Sequence, residues 1–145
     1  MVKSFLSLLI LAAAILSQVT HVRATDVTVT VTNIPGAEGN LLVGLYDSEK
    51  TFTKVPVGES AKVPLTSTKD VTVTFDDVAP GRYAIAVIQD LNGNGKLDKT
   101  FVGMPKEPLA FSVIREIPKG KPKFAACAFT VGENPVKMTI PLVLE

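Results

Sequence analysis

Side chains that carry oxygen recur at alternate positions in residues 90–98, which read Asp-Leu-Asn-Gly-Asn-Gly-Lys-Leu-Asp. Calcium prefers about six to eight oxygen ligands, and a loop with side-chain oxygens at its first, third and fifth positions, a glycine at the sixth and a carbonyl at the seventh can supply them. This spacing predicts a calcium site, because the first, third, fifth, seventh and ninth positions are Asp90, Asn92, Asn94, Lys96 with its carbonyl, and Asp98.

The match to a calcium loop is partial. The twelfth position is Phe101 instead of a bidentate glutamate, and Lys96 and Lys99 bring positive charge close to the ion. With two carboxylates in the loop, we expect a dissociation constant in the range of about 10⁻⁴–10⁻³ M. A further carboxylate, from Asp47 or Glu107, would complete the shell. The alternative is a hairpin turn that needs no ion, because Asn-Gly pairs readily adopt the positive φ angles of tight turns.

The residue types that are missing limit the enzymatic chemistry available. The only histidine is His21 and the only cysteine is Cys127, which lies in an apolar stretch and is predicted to be a buried, inert thiol. Beyond the first 24 residues, triads with histidine and zinc sites with imidazole ligands are therefore excluded. Asp76 and Asp77 directly follow a predicted strand, and because adjacent residues in extended chain point to opposite faces, they do not form a catalytic pair. We predict a protein without catalytic residues.

Residues 1–24 have the pattern of a secretory signal peptide. Lys3 precedes an apolar run over residues 5–16, and small residues close the segment at Val22-Arg23-Ala24. The run is too short for a typical spanning helix, so we expect no stable membrane insertion after cleavage. Removal of these residues takes away two of the 15 basic residues and none of the 14 acidic ones, which leaves a formal charge of −1. This balance does not favour nucleic acid as a partner, and the predicted location is secreted or periplasmic.

The sequence after residue 24 has the pattern of an all-β protein. Valine and threonine alternate from Val27 to Thr32, and the run over 82–89 is apolar on both faces, as in a central strand. The predicted strands cover residues 26–32, 40–46, 51–55, 61–65, 70–75, 82–89, 109–113, 123–131 and 136–144. We therefore predict an antiparallel β-sandwich, immunoglobulin-like or transthyretin-like, as a single domain over residues 25–145. A closed barrel is the alternative.

The connection over residues 100–122 is long and rich in proline, glycine and lysine. Long loops on rigid scaffolds often carry recognition, so this loop is the surface where we expect a small ligand, a glycan or a protein partner, if one binds. Lys119, Lys121 and Lys123 form a basic cluster within or beside it. We favour a structural role over ligand binding, with the aromatic and apolar residues Phe101, Met104 and Phe111 capping one end of the core.

Several motifs together resemble a known family. They are the strand entry Pro80-Gly81-Arg82-Tyr83, the 90–98 loop, the run Gly103-Met104-Pro105-Lys106-Glu107-Pro108 and the pair Phe111-Ser112. In combination they resemble the DUF2141 family of uncharacterised secreted proteins, over nearly the whole chain after residue 24. The first two motifs are also similar to those of transthyretin-like and adhesin B-type modules. The resemblance implies an exported β-sandwich and leaves the biochemical activity open.

Overall fold

The computed structural model describes residues 23–143 and shows eight strands and one short helix in that range. In chain order they are β1 (Thr25–Thr32), β2 (Asn40–Tyr46), β3 (Ala61–Pro64), β4 (Val71–Val78), β5 (Gly81–Asp90), β6 (Leu109–Phe111), α1 (Phe124–Cys127), β7 (Phe129–Val131) and β8 (Val136–Pro141). The predicted all-β single domain is confirmed. The predicted signal peptide, residues 1–24, lies outside the described residues apart from Arg23 and Ala24, so it stays a prediction.

The strands form two sheets. One sheet has three strands in the order β4-β1-β8, and the other has the order β3-β2-β5-β6, with β7 paired to the first residues of β5. All neighbouring strands are antiparallel except β1 and β8, which are parallel. The prediction of purely antiparallel sheets is wrong at this pair, because β8 arrives from the far end of the chain and its direction is set by tertiary packing.

The main core lies between the two sheets. The alternation of valine and threonine in β1 gives the strand one apolar face toward this core. Val27, Val29 and Val31 are fully buried, while the threonines between them face outward. On the outer face the hydroxyl of Thr30 lies 3.2 Å from that of Thr72 on β4, which adds a cross-strand hydrogen bond. The second sheet contributes buried residues such as Leu41 to the same cluster.

β5 is covered on both faces, as its apolar sequence predicts. Ile85 and Val87 belong to the core between the sheets, whereas Ala84 and Ala86 pack against a second apolar cluster on the outer face. The chain after residue 107 supplies much of that second cluster. β6 pairs with β5 within the sheet, and α1 packs on the outer face through Phe124 and Cys127.

Residues 51–55 are a turn, so the prediction of an edge strand there is wrong. Phe52 N–H donates to the carbonyl of Ser48 (2.9 Å), and Val55 N–H donates to the carbonyl of Thr51 (2.9 Å). The Asp47 carboxylate accepts from the hydroxyls of Ser48 and Thr51 at 3.1 and 3.0 Å. These local bonds compete successfully with strand pairing, although threonine and valine favour strands.

The predicted strand over residues 123–131 is correct only at its end. Residues 124–127 form the single turn α1, and the strand β7 begins at Phe129. Phe124 and Cys127 lie three positions apart in the turn and are both buried against the outer face of β5. The N–H of Phe124 donates to the carboxylate of Glu49 at 2.6 Å, which fixes the start of the turn.

Candidate functional site

Asp90 ends β5 with its carboxylate buried, and that carboxylate organises the loop that follows. One carboxylate oxygen accepts from Asn94 N–H (3.1 Å) and the other from Gly95 N–H (2.8 Å). Gly95 has a φ of +75°, which a side chain would disfavour. Gly39 directly precedes the neighbouring strand β2. Only glycine fits at this position, because a Cβ there would lie 2.1 Å from the Asp90 carbonyl oxygen. The start of the loop is therefore held by the Asp90 side chain and packs closely against Gly39.

The two asparagines connect the middle of the loop to its end. The side-chain oxygen of Asn92 accepts from Asn94 N–H (3.1 Å), and that of Asn94 accepts from Lys96 N–H (2.9 Å). Both amide nitrogens donate to the carboxylate of Asp98. Four of the five predicted site residues thus form one hydrogen-bonded unit, while Lys96 enters it through its backbone and has an exposed side chain.

Glu107 completes this unit from a position far along the chain. Its side chain is buried, and its two carboxylate oxygens accept from Leu91 N–H and Asp98 N–H, each at 2.9 Å. The carboxylate therefore clamps the first and last turns of the loop together. We call Asp90, Asn92, Asn94, Asp98 and Glu107 the carboxylate loop.

Asp47, the other carboxylate considered from the sequence, does not belong to the carboxylate loop. It follows β2 at Tyr46, whereas the opposite end of that strand, Asn40, is paired with Asp90. The seven residues of β2 separate the two positions, and at about 3.4 Å per residue this is roughly 20 Å. Asp47 instead holds the turn at residues 48–52 through its hydroxyl contacts.

Between Asp98 and Glu107 the chain makes a small hairpin, which sequence reasoning missed. Lys106 N–H donates to the Asp98 carbonyl (2.9 Å) and Thr100 N–H to the Met104 carbonyl (2.8 Å). The tip carries three exposed apolar side chains, with exposed fractions of 102% for Phe101, 63% for Val102 and 52% for Met104. The prediction that Phe101 and Met104 cap the core is wrong for both.

In the remainder of the 100–122 connection, Phe111 and Lys121 make structural contacts. Phe111 is buried in the second apolar cluster, as the capping alternative predicts. Lys121 donates through Nζ to the carbonyl of Phe52 (2.6 Å) and lies 5.4 Å from the centre of its ring. A shallow hollow of about 310 Å³ lies beside it and is lined in part by Ile114, Glu116 and Lys123.

The carboxylate loop joins three carboxylates and two amides in one hydrogen-bonded network. Within residues 23–143 no group of three or more histidine, cysteine, aspartate or glutamate side chains is arranged so that it could hold a metal ion. Asp98 is bonded to amide nitrogens, and both asparagine oxygens accept from backbone N–H groups. A cation would have to replace these bonds, so the two amides would turn their oxygens toward it.

Cys127 lies in the second apolar cluster and is a buried thiol in the described structure, as predicted. Burial, with a smaller contribution from the negative charge of Glu49, raises the pKa of the thiol from 9.0 to about 11. Its carbonyl accepts from the hydroxyl of Ser112, which also accepts from Ile85 N–H at 2.8 Å. The thiol is therefore neutral at neutral pH and unsuited to nucleophilic chemistry.

The fold and the loop define an all-β, single-domain protein whose carboxylate loop lies at one end of the β3-β2-β5-β6 sheet. The family described as "Uncharacterized protein conserved in bacteria (DUF2141)" matches residues 29–139. The chain belongs to this family, which confirms the resemblance drawn from its motifs. No curated protein and no solved structure matches it. In the part of the chain that the structure describes, no helix is long and apolar enough to cross a membrane.

Proposed function

We propose that this protein is an exported, non-enzymatic module with a structural or binding role in the cell envelope or exterior, and that its carboxylate loop takes up calcium weakly. The observation that carries the proposal is the hydrogen-bonded network that links the carboxylates of Asp90 and Asp98 in the 90–98 loop to the carboxylate of Glu107. Carboxylate and amide oxygens are the ligands that calcium prefers. Export, which the pattern of residues 1–24 predicts, would place the loop where calcium is abundant.

The same contacts that assemble the loop also keep its affinity low. Asp90 and Glu107 each accept two backbone N–H groups, so part of their capacity as acceptors is already used. The asparagine amides must give up their bonds to Asp98 before their oxygens can reach an ion. These costs, together with the exposed charge of Lys96, are consistent with a dissociation constant of about 10⁻³ M.

The non-enzymatic part of the proposal rests on the residue types available. The only histidine, His21, belongs to the predicted signal peptide, and the buried Cys127 holds its proton. General base and nucleophilic catalysis most often depend on those two side chains.

Calcium is expected to raise the melting temperature of the protein. At a concentration ten times the dissociation constant, binding to the folded state alone stabilises by about 1.4 kcal/mol. For a domain of this size that corresponds to a rise of about 4–8 °C. Melting is followed by circular dichroism at millimolar calcium and with a chelator.

The Asp98→Asn variant should lose the calcium-dependent rise, because it removes one of the carboxylates while it keeps the size of the side chain. Asp76→Asn is the matched control, since Asp76 is an exposed residue of β4 and should leave the rise intact. An unchanged melting temperature in the wild-type protein, or an equal rise in Asp98→Asn, would refute calcium binding at the carboxylate loop.

Binding of a small ligand or glycan through residues 100–122 is the second candidate function, favoured by the hollow of about 310 Å³ near Lys121. Because Lys121 and Phe111 have structural contacts, the residue to alter is Lys123, which lines the hollow and is exposed. A glycan-array hit should be lost in Lys123→Ala and kept in Lys50→Ala, an exposed lysine in the turn after β2. A blank array, or a hit that both variants keep, would remove this candidate.

A further inference from the structure

The hairpin over residues 98–106 presents an apolar tip with no partner among the described residues. Phe101 is as exposed as an isolated side chain, and Val102 and Met104 are exposed by more than half. Single exposed apolar residues are ordinary on protein surfaces, but three of them within four positions at the end of a projecting hairpin are not.

Three exposed lysines lie close to this tip in the sequence. Lys99 and Lys106 lie on the two opposite arms of the hairpin and Lys96 lies just before it, all with exposed side chains. The acidic groups nearby are turned inward, because Glu107 is buried and the carboxylate of Asp98 binds the two asparagine amides. The surface that accompanies the tip is therefore basic.

Part of the backbone of the tip is paired within the hairpin, whereas the N–H groups of Phe101 and Val102 have no partner in the described structure. Gly103 N–H donates to the Thr100 carbonyl (2.9 Å), and Met104 N–H donates to the Thr100 hydroxyl (3.1 Å). With the bond from Thr100 N–H to the Met104 carbonyl (2.8 Å), three N–H groups of the turn are satisfied within the hairpin. Backbone groups without partners are costly in an apolar medium, so the three internal bonds lower the cost of insertion and the two unpaired N–H groups restrict it to the hydrated interface.

We propose that residues 99–106 dock on an anionic lipid bilayer, with Phe101, Val102 and Met104 inserted at the interface and the lysines facing the headgroups. A stable protein interface requires about 800 Å² per partner from roughly 20–30 residues, which three side chains on a narrow hairpin do not supply. A bilayer interface can take up a few apolar side chains, and each nearby lysine strengthens the attraction to anionic headgroups. The proposal rests on the proposed binding role and names its partner, but it does not require calcium.

The absence of tryptophan from the chain makes a direct test possible. In the variant Phe101→Trp the single tryptophan reports on the tip, and its fluorescence should shift to the blue when vesicles of phosphatidylglycerol and phosphatidylcholine are added at low salt. Val55→Trp is the matched control, because Val55 is 62% exposed in a turn elsewhere and should show no shift. The chain used begins at Thr25, since all strands of the described fold lie from that residue onward.

Sedimentation with the same vesicles measures the contribution of each part. Phe101→Ser with Met104→Ser should weaken binding by at least about tenfold for each side chain removed. Lys99→Glu with Lys106→Glu should weaken it by at least about fivefold per lysine and abolish the preference for anionic over neutral vesicles. The melting temperature should not change in either variant, because the altered side chains are exposed.

Three results would overturn the proposal. They are no sedimentation of the wild-type protein with anionic vesicles, sedimentation without a blue shift at position 101, and self-association through the tip in the absence of lipid. All measurements are made with and without calcium, so that failure to bind calcium and failure to bind lipid are seen separately. Lipid binding that persists with a chelator would support the tip alone as the docking element.

Discussion

Replacement of Phe52 by alanine is expected to lower the free energy of unfolding by about 3–5 kcal/mol, the range for large-to-small changes of buried aromatic residues. Phe52 is fully buried, although it lies in the irregular turn after β2. Its ring centroid is 5.6 Å from that of Tyr46 and 5.9 Å from those of Phe111 and Phe124. The alanine variant would lose all three aromatic contacts and leave a cavity.

The loss should also loosen the connection that covers the outer face of β5. Lys121 lies over the Phe52 ring, and Phe124 begins α1, so both segments after β6 depend on this side chain. Because small domains have only about 5–15 kcal/mol of stability, the loss is a large fraction of the total. Chemical denaturation followed by circular dichroism measures it.

Phe101→Ala provides a control with the same chemical change at a fully exposed position. It should alter the free energy of unfolding by less than about 0.5 kcal/mol. A loss of similar size in both variants, or a loss below about 1 kcal/mol in Phe52→Ala, would contradict the packing described for the second apolar cluster.

Regular alternation and continuous apolar runs in the sequence predicted the strands well. β1 and β2 lie where they were expected, and the apolar sequence of β5 on both faces corresponds to a strand buried on both faces. These patterns report burial directly, since a strand exposes alternate residues to opposite sides. The parallel pairing of β1 with β8 left no comparable pattern, because it joins segments about a hundred residues apart.

The wrong predictions fall where side chains bond to nearby backbone or to each other. Thr51 to Val55 contains strand-forming residues, but the cluster of Asp47, Ser48 and Thr51 closes a turn there. The spacing of those three polar residues was a signal for the turn, since serine, threonine and aspartate often bind neighbouring backbone groups. In the segment before β7, burial of Phe124 and Cys127 on one side required a helical turn instead of an extended strand.

The part of the candidate site within residues 90–98 was predictable from the sequence, whereas the contribution of the distant Glu107 was not. The spacing of Asp90, Asn92, Asn94 and Asp98 identified residues that the structure joins in one network. Glu107 and Asp47 were equivalent candidates in the sequence, because the path between Asp98 and Glu107 was read as an irregular loop. The hairpin over 98–106 decides between them, since it returns the chain to the start of the loop. Whether the loop holds calcium stays a prediction.

Replacement of Glu107 by alanine is expected to release the two ends of the 90–98 loop from each other and to lower the free energy of unfolding by about 2–4 kcal/mol. The variant leaves Leu91 N–H and Asp98 N–H without their acceptors, each now at 2.9 Å from a carboxylate oxygen. An unsatisfied buried donor costs about 1–3 kcal/mol. Partial access of water to the loop, where both bonds are only partly buried, keeps the total below the sum of the largest values.

The location of the effect distinguishes this role from general loss of packing. In native-state hydrogen exchange, the amides of Leu91 and Asp98 should lose protection in Glu107→Ala, while those of Val29 and Val43 in the main core keep most of theirs. Glu107→Gln should be intermediate, because its amide has one oxygen to accept a bond and presents a donor to the other N–H group. Glu116→Ala, at an exposed position, should leave both amides protected. Unchanged protection of Leu91 and Asp98 in Glu107→Ala would show that the carboxylate does not clamp the loop.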